Sequence, residues 1–191
     1  KQSNNQKTLD IMCQGFYNIK MNNIQVIDDY LSSKEYEMIR SCVMGENDRG
    51  NIKDSFLWQW VLEPDGHFQF CHLLYSSYYT LSPYFELMRP IISKENMVSI
   101  ARIKANLVTC TEDVIVYDQC FHQDFSPESS KRITTGIYYV NTNDGYTLFE
   151  DGTKVESVGN RFLRFPGYMK HTGTSCSDVD RRVLINFNYY T

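Results

Sequence analysis

The sequence predicts an α+β protein that is mainly β, with supporting helices in its first half and an antiparallel sandwich or barrel in its second. Two observations lead to this fold class. Paired helix start and stop signals occur in the first hundred residues. From about residue 101 onward the chain consists of short strand patterns joined by Asn, Asp and Gly turns, with no helical periodicity between them. That order is typical of an antiparallel sandwich or barrel.

A chain of 191 residues has the length of a single domain. A domain of this size can bury about 70% of the surface of its extended chain. We expect a single domain over residues 1–191. It would comprise a loose arm over about 1–20, a helical support region over about 21–100 and a β-barrel core over about 101–191. The net charge of -4 provides no basic stripe, so general nucleic-acid binding is not expected. No apolar run reaches ~18 residues, which disfavours a membrane span.

The cysteines show neither a C-x-x-C motif nor a regular spacing, which disfavours a structural zinc site and a disulfide framework. We interpret them as reduced thiols and expect a cytoplasmic protein. No pattern in the sequence indicates an oligomeric state. The six cysteines are Cys13, Cys42, Cys71, Cys110, Cys120 and Cys176.

A first helix is predicted over about residues 33–44. Ser32 and Glu35 have the spacing of a capping box, in which each side chain accepts a hydrogen bond from the other residue's backbone amide. Leu31 can pack on Tyr36 as a hydrophobic staple, and Gly45 provides the stop. The first helix is therefore defined at both ends.

Further elements are predicted between residues 56 and 100. The aromatic segment 56–60 alternates enough to be a strand, and core packing is favoured over substrate binding for its rings. His67 and His72 have no ligand-spaced partner and are interpreted as structural histidines. Ser82, followed by proline, is expected to cap a second helix through Met88, which Pro90 bends or ends.

The strand patterns begin at about residue 98. Arg102, Lys104 and Asn106 fall on one face of the first strand, and apolar residues fall on the other. A polar face within a strand either meets solvent or lines a pocket. Further strands are predicted over residues 133–140, 146–149, a short segment near 155, 161–165 and 182–190.

The segment His122-Gln123-Asp124 contains the first two candidate metal ligands. In an extended segment, residues i and i+2 point to the same side, so this imidazole and carboxylate can bind one metal ion together. His171 is the natural third ligand. Two histidines and one carboxylate on one face of an octahedron leave three positions open, as in non-haem Fe(II) oxygenases. The same three donors also suit zinc.

The last strand predicts a second polar wall. Its alternation places Arg182, Asn186 and Asn188 on one face, and an apolar set that includes Val183 on the other. A guanidinium that borders a polar pocket can form a bidentate pair with a carboxylate. The alternative is that Arg182 is a solvated edge residue. Arg181 is the competing anchor, but its register places it on the apolar side.

The arrangement of His122, Asp124, His171 and Arg182 resembles that of the Fe(II)/2-oxoglutarate-dependent dioxygenases, specifically their prolyl-hydroxylase-like branch. The resemblance runs from about residue 101 to 189. Its strongest supporting segment is 136–141, Gly-Ile-Tyr-Tyr-Val-Asn, which is similar to a strand that follows the H-x-D motif in that branch.

Two further segments are similar to family motifs. Residues 144–149, Asp-Gly-Tyr-Thr-Leu-Phe, resemble a G-G-x-L-x-F turn and strand. Residues 160–166 resemble a G-R-L-x-x-F strand that leads to the distal histidine, with Asn160 where the family has a glycine. The order and spacing of these segments make the resemblance specific.

The resemblance implies a double-stranded β-helix (jelly roll) core with supporting N-terminal helices. It implies that His122, Asp124 and His171 are the iron ligands. Arg182 would pair with the distal carboxylate of 2-oxoglutarate, and Tyr139 would hydrogen-bond the same co-substrate. The other co-substrate residues that we expect are Asn106, Ile137, Thr147 and Asn186.

The implied activity couples oxidative decarboxylation of 2-oxoglutarate to succinate with hydroxylation of a C–H bond, and a peptidyl prolyl residue is the leading substrate. The expected cofactors are Fe(II), 2-oxoglutarate and O2, with ascorbate as an additional candidate. Two alternatives stay open. The substrate could be a free amino acid, a small metabolite or a nucleobase, or the chain could be a non-catalytic cupin-like metal-binding barrel. Arg182 with Tyr139 favours an oxygenase, because an inert barrel needs no carboxylate anchor.

Overall fold

The computed structural model of the chain describes residues 23–46, 55–63 and 66–191. The loose arm expected over about 1–20 lies outside them, and no helix among them is long and apolar enough to cross a membrane. No disulfide joins two of the described cysteines. The helices are α1 (Ser33–Val43), a 3-10 helix (Pro83–Met88), α2 (Arg89–Lys94), a 3-10 turn (Asp118–Cys120) and α3 (Pro127–Ser130). The strands are β1 (Gln25–Ile27), β2 (Gln59–Leu62), β3 (Phe68–Ser76), β4 (Tyr79–Thr80), β5 (Ser99–Thr109), β6 (Thr134–Tyr139), β7 (Tyr146–Phe149), β8 (Lys154–Glu156), β9 (Arg161–Pro166), β10 (His171–Gly173) and β11 (Arg181–Tyr190).

The strands form a large and a small antiparallel sheet, as expected for a double-stranded β-helix. The large sheet has the order β1-β9-β6-β11-β5-β3-β2, with β4 paired to β3, and the small sheet has the order β10-β7-β8. An apolar cluster joins the two sheets, with Ile137, Leu163 and Leu184 from the large sheet and Phe149 and Val155 from the small one. The predicted jelly-roll fold class is therefore confirmed.

The helices cover the outer face of the large sheet. The capping box of α1 is present, with the Ser32 hydroxyl accepting from the Glu35 amide and the Glu35 carboxylate accepting from the Ser32 amide. Ile39 and Val43 of α1 are buried in one cluster with Ile185 of β11. Burial of this apolar stripe fixes α1 against the sheet.

The second predicted helix differs from its expectation. Residues Pro83–Met88 form a 3-10 helix, which the Ser82 hydroxyl caps by accepting from the Tyr84 amide. The chain then continues into α2, and Pro90 lies in the first turn of α2 instead of ending the helix. A proline is tolerated there because the first-turn amides of a helix have no acceptor within the helix.

The segment expected to be a helical support is not only helical. It contributes β1 to β4, and β3 lies in the large sheet between β5 and β2. The pattern in Phe68–Ser76 failed to predict this strand because both of its faces are partly covered. Leu74 is buried in the cluster beneath the helices, and Gln69 on the other face lines the central cavity.

The register of β11 confirms the predicted alternation. Val183 and Ile185 are buried in the helix-side cluster, and Arg182 and Asn186 line the cavity between the sheets. Arg181 points to the helix side, where its guanidinium donates to the Met44 carbonyl at 2.8 Å. The competing anchor is therefore on the wrong side of the strand for the cavity.

Candidate metal centre

The structure brings His122, Asp124 and His171 together. His122 and His171 form an antiparallel bridge in which each backbone amide donates to the other's carbonyl at 3.1 Å. Asp124 follows in the turn after His122, and His122 Nε2 lies 3.9 Å from Asp124 Oδ1. The three potential ligand atoms all lie within 4.8 Å of one another. This separation is suitable for donors around one metal ion.

Backbone carbonyls orient both imidazoles. His122 Nδ1 lies 2.7 Å from the Cys120 carbonyl, and His171 Nδ1 lies 3.2 Å from the Met169 carbonyl. Because a carbonyl oxygen can only accept, each Nδ1 carries a proton, and Nε2 is the ring nitrogen that faces a metal. Burial lowers the pKa of His171, although Asp124 acts in the opposite direction. The neutral, ligating form is therefore favoured.

Both oxygens of Asp124 accept hydrogen bonds. Arg102 Nη2 donates to Oδ1 at 2.6 Å, and Asn188 Nδ2 donates to Oδ2 at 2.9 Å. Burial opposes ionisation of this carboxyl group, but His171, Arg102 and Asn188 together hold its pKa below the ordinary value. The carboxylate is thus fixed in place and ionised, as a metal ligand must be.

A cavity of about 420 Å³ extends from these three side chains into the space between the sheets. The predicted co-substrate residues Asn106, Ile137, Thr147, Arg182 and Asn186 all line it. A cavity of this volume is large enough for a small keto-acid beside the metal ligands. The structure therefore places the three expected metal ligands and these five expected co-substrate residues around one space.

Arg182 is buried without a counter-ion. Its side chain is almost fully enclosed, and among the described residues no carboxylate lies within ion-pair distance of its guanidinium. Its hydrogen bonds go to the hydroxyls of Ser157 at 2.7 Å and Thr147 at 3.4 Å and to the Thr174 carbonyl at 3.5 Å. A buried and uncompensated charge is unfavourable unless an anion joins it. The guanidinium of Arg182 can therefore bind a carboxylate.

Tyr139 and Gly145 lie behind Arg182. Tyr139 does not line the cavity; its hydroxyl donates to Thr147 Oγ1 at 2.8 Å, and its ring centre lies 5.8 Å from the Arg182 guanidinium carbon. Tyr139 therefore positions Thr147 and Arg182 from a second layer. At Gly145 an added Cβ would lie 2.7 Å from Arg182 Cδ and 2.5 Å from the Ser175 carbonyl oxygen. The arginine side chain needs a glycine there.

Sequence reasoning missed some residues of this site. His67, interpreted as structural, lines the cavity and stacks on Tyr117 with ring centres 3.9 Å apart. His72, by contrast, bridges the Leu57 carbonyl and the Ser82 hydroxyl away from the cavity. For Arg102, the sequence indicated only that it lies on the polar face of β5. Its pairing with Asp124 depends on the loop between them.

Solved structures from several organisms are similar to this one. A 2OG-Fe(II) oxygenase family oxidoreductase from Burkholderia pseudomallei matches with a TM-score of 0.60 and 10% sequence identity, covering 88% of this chain and 85% of that chain. A prolyl hydroxylase from Trichoplax adhaerens, in complex with a peptide fragment of the hypoxia inducible factor oxygen degradation domain, matches with a TM-score of 0.58 and 13% identity. It covers 89% of this chain and 84% of that chain. A Pseudomonas putida prolyl-4-hydroxylase matches with a TM-score of 0.55 and 11% identity, covering 88% and 93% of the two chains.

This chain has the fold of the prolyl hydroxylases and of a 2OG-Fe(II) oxygenase. The expected resemblance is therefore confirmed at the level of the fold. No family model matches the chain, and no curated protein matches its sequence. At sequence identities of 10% to 13%, the likeness to these structures is one of fold.

Proposed function

We propose that this protein is an Fe(II)- and 2-oxoglutarate-dependent dioxygenase that hydroxylates a C–H bond and converts 2-oxoglutarate to succinate. The observation that supports this most strongly is the buried, unpaired guanidinium of Arg182 in the same cavity as His122, Asp124 and His171. Such a site needs both a metal and an anion. A 2-oxoglutarate bound to the metal supplies the anion through its distal carboxylate.

Each group of residues has a defined task in this proposal. His122, Asp124 and His171 would hold Fe(II), and their donor set fits that ion and leaves open positions. Iron bound there would supply, with 2-oxoglutarate and O2, the oxidising chemistry. Arg182 and Thr147 would bind the distal carboxylate and orient the co-substrate toward the metal. The pairing of Arg102 with Asp124 keeps the ligand carboxylate ionised and correctly turned.

The non-catalytic barrel explains less of the structure. A structural zinc site would use the same three ligands, but closed structural sites take a fourth protein ligand. Among the described residues, no other His, Cys, Asp or Glu joins the group of His122, Asp124 and His171. An inert barrel would also leave the charge of Arg182 buried and unpaired at a cost to stability.

For the substrate, we propose a peptidyl prolyl residue, supported by the fold likeness to two prolyl hydroxylases, one of which has a bound peptide. A free amino acid, small metabolite or nucleobase is the alternative. We also keep a single domain over residues 1–191, a cytoplasmic location and a role for ascorbate as parts of the proposal.

The test is a succinate-release assay on the purified chain with Fe(II) and 2-oxoglutarate, run against peptides that contain proline and against a panel of amino acids and metabolites. We expect succinate formation that one class of substrate stimulates. Hydroxylated product identified by mass spectrometry would name the substrate. Failure of the metal-loaded chain to bind or consume 2-oxoglutarate would overturn the proposal.

A further inference from the structure

Lys104 is a cation of the cavity wall that the proposed metal and co-substrate sites do not use. It lies on β5 between Arg102 and Asn106, and all three side chains line the cavity. Arg102 is paired with Asp124 at 2.6 Å. Within the part of the chain that the structure describes, the Lys104 ammonium has neither a hydrogen-bond acceptor nor a carboxylate at ion-pair distance. It is therefore a half-buried positive charge that is free to bind an anion.

Asn186 stands directly opposite Lys104, and its Oδ1 has no hydrogen-bond partner among the described residues. The two residues are paired in the register of β11 and β5, so their side chains lie side by side on the cavity wall. Asn186 Oδ1 is the buried side-chain oxygen that, among the described residues, accepts no hydrogen bond. A lone donor and a lone acceptor thus lie side by side. Buried polar atoms of this kind are usually satisfied by a ligand or by water.

The position of this pair favours the substrate over 2-oxoglutarate. Arg182 is four residues from Asn186 along β11, which is roughly 13 Å of strand. Asn188, two residues on the other side of Asn186, contacts Asp124. Lys104 and Asn186 therefore lie at the metal end of the cavity, away from the proposed anchor for the distal carboxylate.

The charged groups of the cavity leave Lys104 without an ion-pair partner. Arg102 is paired with Asp124, Arg182 would bind one carboxylate of 2-oxoglutarate, and the metal would hold the other. Glu63 also lines the cavity, where it accepts a hydrogen bond from the Gln69 amide and forms no ion pair with Lys104. A loaded site would still present one unmatched ammonium to its substrate. A substrate carboxylate is the complementary group.

We propose that Lys104 binds a carboxylate of the substrate close to the carbon that is hydroxylated, and that Asn186 Oδ1 accepts a hydrogen bond from the same substrate. This inference rests on the proposed function and narrows its substrate class to carboxylate-bearing compounds. The carboxylate can belong to a small acid such as an amino acid derivative, or to an acidic residue next to the reacting residue of a peptide. Lys104 is then a determinant of specificity.

The experiment measures binding without turnover. The full chain is loaded anaerobically with Fe(II) and 2-oxoglutarate and titrated by calorimetry with two matched pairs of probes. One pair is L-proline and L-prolinamide, both of which carry an N–H donor for Asn186 Oδ1, and the other is a pair of proline peptides with Glu or Gln after the proline. We expect the carboxylate member of at least one pair to bind about tenfold or more tightly. The pair that shows the preference identifies the source of the carboxylate.

Variants assign the preference to Lys104. Lys104→Met removes the charge and keeps most of the side-chain volume, so it should abolish the preference, whereas Lys104→Arg should retain most of it. Lys131→Met, which removes a charge from the exposed end of α3, is the matched control and should behave as the unmodified chain. Raising the salt concentration should reduce the preference of the unmodified chain, which gives a test that needs no variant.

Two results separate this inference from the proposed function. If the unmodified chain binds 2-oxoglutarate but prefers neither carboxylate probe, the role of Lys104 is wrong and the oxygenase proposal stands. The role is equally wrong if Lys104→Met weakens 2-oxoglutarate binding as much as probe binding, because Lys104 would then be part of the co-substrate site. Absence of 2-oxoglutarate binding by the unmodified chain overturns both proposals.

Discussion

At the scale of single residues, Asp124 is the candidate metal ligand whose side chain is held by the most hydrogen bonds. Arg102 and Asn188 hold its two oxygens, and the Asn188 side chain also accepts from Arg102 Nε at 3.2 Å. These three side chains come from β5, β11 and the loop after His122. The H-x-D spacing predicted two ligands from local geometry alone. It could not predict their supports, because those depend on the pairing of β5 with β11.

Removing a metal ligand should weaken metal binding and abolish turnover without unfolding the chain. His122→Ala and Asp124→Ala each open a coordination position, while the two apolar clusters that hold the sheets stay intact. We expect at least a tenfold loss of Fe(II) affinity, with loss of turnover. Calorimetry and circular dichroism check affinity and fold. Gln123→Ala, between the two ligands, is the control, and Fe(II) affinity equal to that control would contradict the assignment.

Gly145 should matter for co-substrate binding through the position of Arg182. Gly145→Ala forces the Arg182 side chain or the Ser175 backbone to move, because the new Cβ would overlap both. We expect 2-oxoglutarate to bind about tenfold or more weakly, with Fe(II) binding unchanged. Gly152→Ala is the matched control. It meets no neighbour but has a φ of +87°, so it should lower stability and spare binding.

At the scale of elements, the alternation of apolar and polar residues predicted the strands whose two faces meet different environments. The two faces of β11 were correctly separated because one face meets helices and the other meets the cavity. β3 was missed because both of its faces carry partly buried apolar or aromatic side chains, which hides the period of two. β10 was missed because its three residues show no alternation of apolar and polar side chains, whereas the equally short β8 was marked by the Asp151-Gly152 turn before it.

Asn160 shows why a departure from a family motif can be structural. It adopts a φ of +64°, where glycine is common, and its side chain exchanges two hydrogen bonds of 2.9 Å with the backbone of Leu31. The Tyr138 hydroxyl also donates to its Oδ1 at 3.0 Å. The amide thus joins the segment before α1 to the large sheet. A glycine would permit the turn but could not make this connection.

Two variants of Asn160 separate its two contributions. Asn160→Gly keeps the turn and loses the hydrogen bonds, so we expect a loss of about 1–3 kcal/mol in the free energy of unfolding. Asn160→Ala adds backbone strain, for a total of about 2–4 kcal/mol. Urea denaturation measures both. A loss below about 0.5 kcal/mol in Asn160→Ala would show that the connection to Leu31 does not stabilise the chain.

At the scale of the whole molecule, the centre draws on both sheets and on the loop between β5 and β6. His171 comes from the small sheet, Arg182 comes from the large sheet, and His122 and Asp124 come from the loop. Binding of a metal and 2-oxoglutarate would therefore link all three parts in the native state. The sequence predicted the set of residues, and the topology explains how they meet.

Ligand binding should raise the stability of the whole chain. At a hundredfold excess over the dissociation constant, a ligand stabilises the native state by about 2.7 kcal/mol. For a chain of 191 residues, this predicts an increase of about 5–10 °C in Tm. Anaerobic thermal unfolding with Fe(II) alone and with Fe(II) plus 2-oxoglutarate measures the two increments. A Tm that 2-oxoglutarate does not change at saturating Fe(II) would contradict a shared native-state site.

The central claim is that Arg182 binds the distal carboxylate of 2-oxoglutarate, and its neighbour Arg181 supplies the matched control. Arg182 faces the cavity without a counter-ion, whereas Arg181 bonds the Met44 carbonyl on the opposite face. The deciding measurement is anaerobic titration of Fe(II)-loaded chain with 2-oxoglutarate, followed by the metal-to-ligand charge-transfer band. Arg182→Ala should lose about 2–5 kcal/mol of binding free energy, which is roughly thirtyfold or more in affinity, while Arg181→Ala stays close to the unmodified chain. Equal losses in the two variants, or no charge-transfer band in the unmodified chain, would contradict the account.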